Sequence, residues 1–563
     1  MMVPFEYSGA TGIVSGLRDT RAAFATNRLR DPAFFRGEVR SPVLLREALA
    51  ALYAVVVSDF KYHPRDRLEF RAWLESQDKK FLASLQARSE AVRTEIAALE
   101  SRLDALDLAR QQRLKPFYGA RAAYFEWVYT HKFELFYLLD PVITVHPDEV
   151  SFEAFSKDES SYARLAVRHD LFHRVDDFAC GTTNVDFSTR LAGELDRMRS
   201  YRATQFSIDP AGFTVATEGD APHREKKIDL PESWVKGFLQ VQSTMTLGLT
   251  RFRMEAVDLF NLCRFLRGHK ARVSPRAMRF ELVPGQRVKV VMEPWEHVIE
   301  LSPTAVYEGP KPATIRTWGR DRLLTLARLL PAAQGVDVFL AGPGMPTLYV
   351  ADLGPLTFTL ALSGWTDNDW TGATRFDLLS RRLTVDSSTL ARAWQGLTAR
   401  RYGSDVGLAQ DTGLGLEEVR SALSYLCQTG RAMYDLAGGV YRQRELFATP
   451  FTFAEAQATA RTAGGAIAVD ATERIAQKLF VGGRVMITAR RPAGGGYKLS
   501  GSVGAVDGSR VRPTLHVDGQ GRLVTASCSC KQYGKHGLTQ GPCEHVLALR
   551  LAHMSRVEAE QGP

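Results

Sequence analysis

Cys528-Ser529-Cys530, twelve further residues and then Cys543-Glu544-His545 supply three thiols and one imidazole. That is a full donor set for one tetrahedral zinc ion. Residues two apart in a strand point to the same face, so Cys528 and Cys530 can reach one ion together, and Val524-Thr525-Ala526 reads as the strand leading into them. The second pair reads as a loop-to-helix junction, because Val546-Leu547-Ala548-Leu549-Arg550-Leu551-Ala552 continues as an apolar, Ala/Leu-rich helix with His545 at its start. Gly534, Gly537, Gly541 and Pro542 predict a loop between the pairs.

Preceded by strand-like Leu515-His516-Val517 and the turn Asp518-Gly519-Gln520-Gly521, this C-x-C…C-x-H pattern resembles the SWIM zinc finger, a ββα module, over roughly residues 495 to 553. The resemblance implies Cys528, Cys530, Cys543 and His545 as ligands of one zinc. His536 competes from within the loop, but only His545 continues into the helix as the family pattern requires. Four protein ligands leave no position for water or substrate, so the expected zinc is structural. Residues 481 to 556 carry eleven Lys and Arg against three Asp and Glu, eight units of the chain's net +9. Three thiolates and one dication remove one unit. Phosphate contact through Arg490, Arg491, Arg510, Arg512 and Lys535 is one reading of that charge, and solubility is the other.

A chain of 563 residues calls for several domains, and 45% hydrophobic with 24% charged is ordinary globular composition. The start Met-Met-Val-Pro-Phe-Glu has neither a basic n-region nor an apolar h-region, and no apolar run reaches the roughly 18 residues of a membrane span. The expectation is a cytoplasmic protein without membrane contact. Cys180, Cys263 and Cys427 are scattered and read as core thiols in a reducing compartment.

Upstream, residues 1–139 read as a helical region. Its segment 64–115 places Leu85, Val92, Ile96, Leu99, Leu103 and Leu106 on a heptad seam that Pro116 ends. The seam fits a coiled-coil-like hairpin closed by the aromatic stretch 124–129, or a dimer. Residues 140–372 read as a mixed α/β domain, with strands at 206–208, 287–292, 347–350 and 356–360 and a helix from Leu323 to Leu330. No phosphate loop, zinc-protease helix, nucleophile elbow or dinucleotide fingerprint occurs there, so no enzyme is expected. His169, Asp170, His173, Asp176 and Asp177 place two histidines at i and i+4 on an expected helix face. Flanked by Arg168 and Arg174, they read as ion pairing in preference to a metal site. Glu293-Pro294-Trp295-Glu296-His297 reads as a turn capped by a buried Trp.

Residues 376–447 have the pattern of a winged helix-turn-helix: a helix from Ser388 to Arg400, a short one at 406–410, a turn at 412–415, a helix from Leu416 to Gln428 and a hairpin over 431–444. Glu417 and Glu418 at the start of the third helix repel phosphate, while Arg420, Arg431, Arg442 and Arg444 attract it. Residues 454–496 read as a helix and flexible linker to a finger at 497–556. The whole is an α+β multidomain chain, similar to large bacterial proteins that carry a SWIM finger. That resemblance implies a non-catalytic zinc-binding protein with nucleic-acid partners, DNA favoured, or protein partners. Its alternative is an adaptor subunit working with a MoxR-type AAA ATPase and a von Willebrand A protein, without direct nucleic-acid binding.

Overall fold

In the computed structural model the strand Glu149–Phe155 alternates polar and apolar residues, yet all seven are buried. Such alternation ordinarily marks one wet face of a sheet. Here both faces are covered. The apolar face, Val150, Phe152 and Ala154 beside Ala163, Leu165 and Val167 of the strand Ser161–Arg168, packs under the helix Pro42–Val56, which contributes Leu45, Leu49 and Leu52. Proline at the first turn of that helix costs nothing, since its missing N–H has no partner to lose there. The other face is polar and receives a helix-and-hairpin unit described below.

The structure describes residues 12–15, 19–25, 33–59, 141–184, 195, 198–201, 203–209, 232–271, 275–365, 368–372, 374–380, 385–446, 471–493, 495–504, 510–519 and 521–560. The chain divides into two units, Met1–Phe60 with Leu139–Pro563, and Lys61–Leu138. The second unit, with the expected heptad helix 64–115 and the aromatic stretch 124–129, lies outside the described residues.

The described residues build five sheets. The largest is antiparallel, in the spatial order Thr250–Met254, Gly335–Leu340, Thr347–Asp352, Leu356–Leu362, Ser161–Arg168, Glu149–Phe155, Val142–Val145, Gly181–Asn184. A five-stranded sheet contains a parallel pair, Asp19–Ala25 with Ala203–Asp209. A four-stranded antiparallel sheet runs His297–Glu300, Lys289–Met292, Met278–Leu282, Ala313–Thr317 and packs against the helix Ala256–Gly268. The middle region thus contains helices and strands as expected, with two antiparallel meanders, Gly335–Leu362 and Val142–Arg168, joined edge to edge in the large sheet. The helix expected at 323–330 is a 3-10 helix, Arg320–Arg328.

Residues 387–443 form three helices, Ser387–Arg400, Asp405–Thr412 and Leu416–Gln428, with a small sheet ordered Tyr402–Gly403, Val440–Gln443, Ala432–Asp435. Asp386 caps the first helix, accepting from the Ser388 and Thr389 amides at 2.9 Å each, and Ser404 caps the second, accepting from Gly407 at 3.0 Å. Leu390, Leu397, Leu408, Val419, Leu423 and Leu426 make its core.

The four arginines that favoured phosphate contact are engaged in ion pairs. Arg444 meets Glu153 at 2.7 Å with both side chains fully buried. Arg442 reaches Asp148 at 2.8 Å, Asp435 at 2.9 Å and Glu149 at 3.2 Å. Arg164, from the large sheet, joins Glu149 and Asp435. Arg431 pairs with Glu445, and Arg420 with Asp405 and Glu417. Burial pushes the Asp435 carboxyl up, and Arg164 and Arg442 more than reverse this, holding it at about 2. Burial raises Glu149. The polar face of the large sheet is therefore the seat of the helical unit. No helix among the described residues is long and apolar enough to cross a membrane.

Candidate zinc centre

The finger is a sheet ordered Val485–Ala493, Gly496–Gly504, Thr514–Val517, Leu523–Ser527, with Arg510–Val511 paired to the second strand, closed by the helix Glu544–Glu560. Its first strand lies where a flexible linker was expected, because Val485 and Ile487 alternate with exposed residues and pair with the next strand. The helix rests on Gly501, where a Cβ would come within 2.5 Å of Leu549.

Cys528 follows directly on the strand Leu523–Ser527. Cys530 is the N-cap of a short helix, Lys531–His536, and its sulfur accepts from the Tyr533 amide at 3.4 Å. This helix replaces the first half of the expected loop, and the Tyr533 hydroxyl ties it to the strand by donating to the Ala526 carbonyl. Cys543 stands at the start of the Glu544–Glu560 helix, its carbonyl accepting from Leu547 at 3.1 Å, and His545 is one step inside. Two of the three sulfurs thus sit at helix N-termini, where unpaired amides favour thiolate.

The Sγ atoms of Cys528, Cys530 and Cys543 and a ring nitrogen of His545 lie within 4.8 Å of one another. A tetrahedron with Zn–S near 2.3 Å places its sulfurs about 3.8 Å apart, so the four donors are poised around one point. Cys543 and His545 are buried and Cys528 and Cys530 half-buried. His536 is not in the group.

The hydrogen bond with Cys543 is the largest influence on Cys528 and, with that from His545, holds its thiol at about 4 against the cost of burial. The same bond and burial push Cys543 far up, and burial raises Cys530. The protein's own groups thus favour one negative charge here. Three adjacent thiolates at neutral pH call for a central cation, which fits zinc.

The finger is seated on the body. Arg550 is buried and donates to the carbonyls of Leu378 and Ser380 at 3.0 Å and Gly521 at 2.7 Å. Asn368 donates to the Thr539 carbonyl at 2.7 Å, and Arg522 to that of Thr246 at 3.2 Å. Gly541, at φ +98°, lies so near Arg375 that a Cβ would meet its carbonyl at 2.6 Å. Leu378 and Leu479 share one core with Val503, Val511 and Leu547. Arg490, Arg491, Arg510, Arg512 and Lys535 are all exposed, and no carboxylate pairs with them among the described residues. Arg490 lies 5.9 Å from the Tyr497 ring centre.

The histidine cluster at 169–177 does not assemble. His169–Leu171 is a single 3-10 turn followed by the strand Phe172–Ala179, because Phe172, Val175 and Phe178 pack on Phe35 and its neighbours. His169 tucks between Phe35 (5.1 Å) and Phe178 (5.2 Å), and its burial lowers its basicity. His173 is exposed; Arg168 and Arg174 pair with Asp170 and Asp176. Cys263 and Cys427 are core thiols, whereas Cys180 is half-exposed.

Residues 511–553 match the family model of the SWIM zinc finger. No curated protein matches the chain. Among solved structures it is similar to the crystal structure of Proliferating Cellular Nuclear Antigen from Entamoeba histolytica, with 10% identity over 40% of this chain and 89% of that one, at a TM-score of 0.28.

Proposed function

We propose that this chain is a non-catalytic, zinc-stabilised protein whose SWIM-type finger holds nucleic acid by its phosphates without reading sequence. One observation carries the reading: Arg490, Arg491, Arg510, Arg512 and Lys535 stand exposed without carboxylate partners among the described residues, while Arg522 and Arg550 of the same finger are engaged in seating it. The helical unit has the element order of a winged helix. Its arginines are tied into ion pairs and its third helix opens with exposed Glu417 and Glu418, which supports a docking role for it.

A protein partner is the second reading. It is favoured by the finger's edge strand Val485–Ala493, where Met486 is 54% exposed and no strand among the described residues pairs with the outer side. A MoxR-type AAA ATPase or a von Willebrand A protein would dock there under the adaptor proposal.

Fluorescence anisotropy of the full chain with unrelated DNA sequences across a salt series separates the two. Non-specific contact predicts a Kd on the order of 10⁻⁴ to 10⁻⁶ M at physiological salt. Arg510→Ala with Arg512→Ala should weaken every sequence equally and flatten the log–log salt slope by up to about two units. Absence of binding even at low salt refutes the nucleic-acid reading.

A further inference from the structure

Where the helix Ala256–Gly268 ends beside the edge strand His297–Glu300, four aromatic rings collect at the surface. Phe265 lies parallel to His269 (4.0 Å, 8°) and to His297 (4.9 Å, 9°), and Trp295 stands edge-on to Phe265 (5.4 Å, 79°) and His269 (5.6 Å, 73°). The turn 293–297 was expected to bury its tryptophan. Instead Trp295 is 36% exposed, and His269 and His297 are exposed with it.

Trp295 is nonetheless held in place. The Arg320 guanidinium sits 5.0 Å from its ring centre. Arg320 is itself buried and fixed by donating to the carbonyls of Ala277, at 2.8 Å, and Glu293. A rigid, exposed indole beside two exposed imidazoles gives flat apolar area already ordered before anything binds, which lowers the entropy cost of binding.

Four exposed cations border the rings. Arg264, Arg267, Lys270 and Arg276 are exposed, and no carboxylate pairs with them among the described residues. Burial lowers the basicity of Arg320, with the charge of Asp321 opposing the shift and that of Arg276 adding to it. The acidic residues flanking Trp295 are already engaged: Glu293 meets Arg279 at 2.7 Å and Arg316 at 2.8 Å, and Glu296 meets Arg279 at 2.8 Å. Exposed rings interleaved with unpaired cations are the two ingredients of single-strand recognition, in which bases stack on side chains and phosphates track a basic surface. In a duplex the base faces are already stacked on one another and cannot be taken up.

We propose that this patch is a stacking platform for single-stranded nucleic acid, with Trp295, His269 and His297 taking base faces and Arg264, Arg267, Lys270 and Arg276 taking phosphates. It is a surface distinct from the finger and does not depend on the finger's role.

The test uses the full chain with a labelled oligo(dT) of about 20 nucleotides and a duplex of matching length. Trp295→Ala, and separately Arg267→Glu with Lys270→Glu, should each weaken oligo(dT) binding by about ten-fold and leave duplex affinity within about two-fold. Arg510→Ala with Arg512→Ala should weaken both ligands, so failure of the finger reading is seen independently. Oligo(dT) should also quench tryptophan fluorescence in the native chain and less in Trp295→Phe, a signal that a merely structural role for the indole would not produce. If Trp295→Ala does not fold, His269→Ala and the double charge variant decide. Unchanged oligo(dT) affinity in those variants overturns the proposal. So does an equal loss on duplex, which would make the patch a general basic surface.

Discussion

Arg444→Met tests how the helical unit is held to the large sheet. Arg444 and Glu153 are both fully buried and meet through one Nη1–Oε1 contact of 2.7 Å. Arg444 Nε and Nη2 and Glu153 Oε2 find no hydrogen-bond partner among the described residues, so the pair is held on one prong. Removing the guanidinium leaves a buried carboxylate with the Tyr162 hydroxyl, at 2.7 Å, as its remaining donor. Stranding a charge in this way costs about 3–5 kcal/mol. The double change Arg444→Met with Glu153→Leu strands nothing, and a half-satisfied buried pair is worth little net. The double variant should therefore lie within about 1 kcal/mol of the native protein or above it, giving a coupling energy of several kcal/mol. Urea unfolding followed by tryptophan emission reads the change, and Trp234 is one of its reporters, since it packs on Phe155 (5.4 Å) and Phe238, and Phe238 lies 5.0 Å under Arg444. A cost below about 0.5 kcal/mol for Arg444→Met, the level of an ordinary surface substitution, would refute the reasoning.

Metal analysis of the purified chain should give one zinc, lost in Cys530→Ser with Cys543→Ser; zinc retained in that variant rules out the assigned ligands. Because Asp435 is held at about 2, below its ordinary value of 3.8, its charge stabilises the folded unit above about pH 4. About 2 kcal/mol is then lost as pH falls through 2. Stability measured from pH 5 downward should show this acid slope, and Asp435→Asn should make it shallower by the Asp435 share, leaving the part due to other depressed carboxyls such as Asp386. His169→Ala should leave metal content unchanged and lower stability by about 1 kcal/mol through its lost ring contacts with Phe35 and Phe178. A metal ion lost with that imidazole would reverse the assignment.

The finger was legible because its chemistry is local: four ligand-type residues at fixed spacing need no knowledge of the rest of the chain, and the helices and hairpin of 387–443 announce themselves through caps and 3.6-residue periodicity. What could not be read was the use of charge. Glu149 and Glu153 alternate with apolar residues as a solvent face would, and Arg442 and Arg444 look like free cations on a hairpin. Only their pairing across nearly 300 residues turns both sets into a buried seam. The same blindness made 169–173 a helix, since its partner strand Phe34–Val39 is remote in sequence. It also hid Trp295, whose exposure depends on the end of a helix some thirty residues earlier.

The seating of the finger bears on how this chain can evolve. Arg550 finds two of its carbonyls on residues 378 and 380, and Gly541 must stay without a side chain because Arg375 occupies that space. A SWIM finger transplanted from another protein would bring its own ligands yet meet the wrong counter-surface. The finger and its counter-surface around residues 375–380 are therefore expected to change together, while Gly541 should stay glycine whatever side chain stands at 375, because the atoms crowding it are the carbonyl and Cβ common to other residues there.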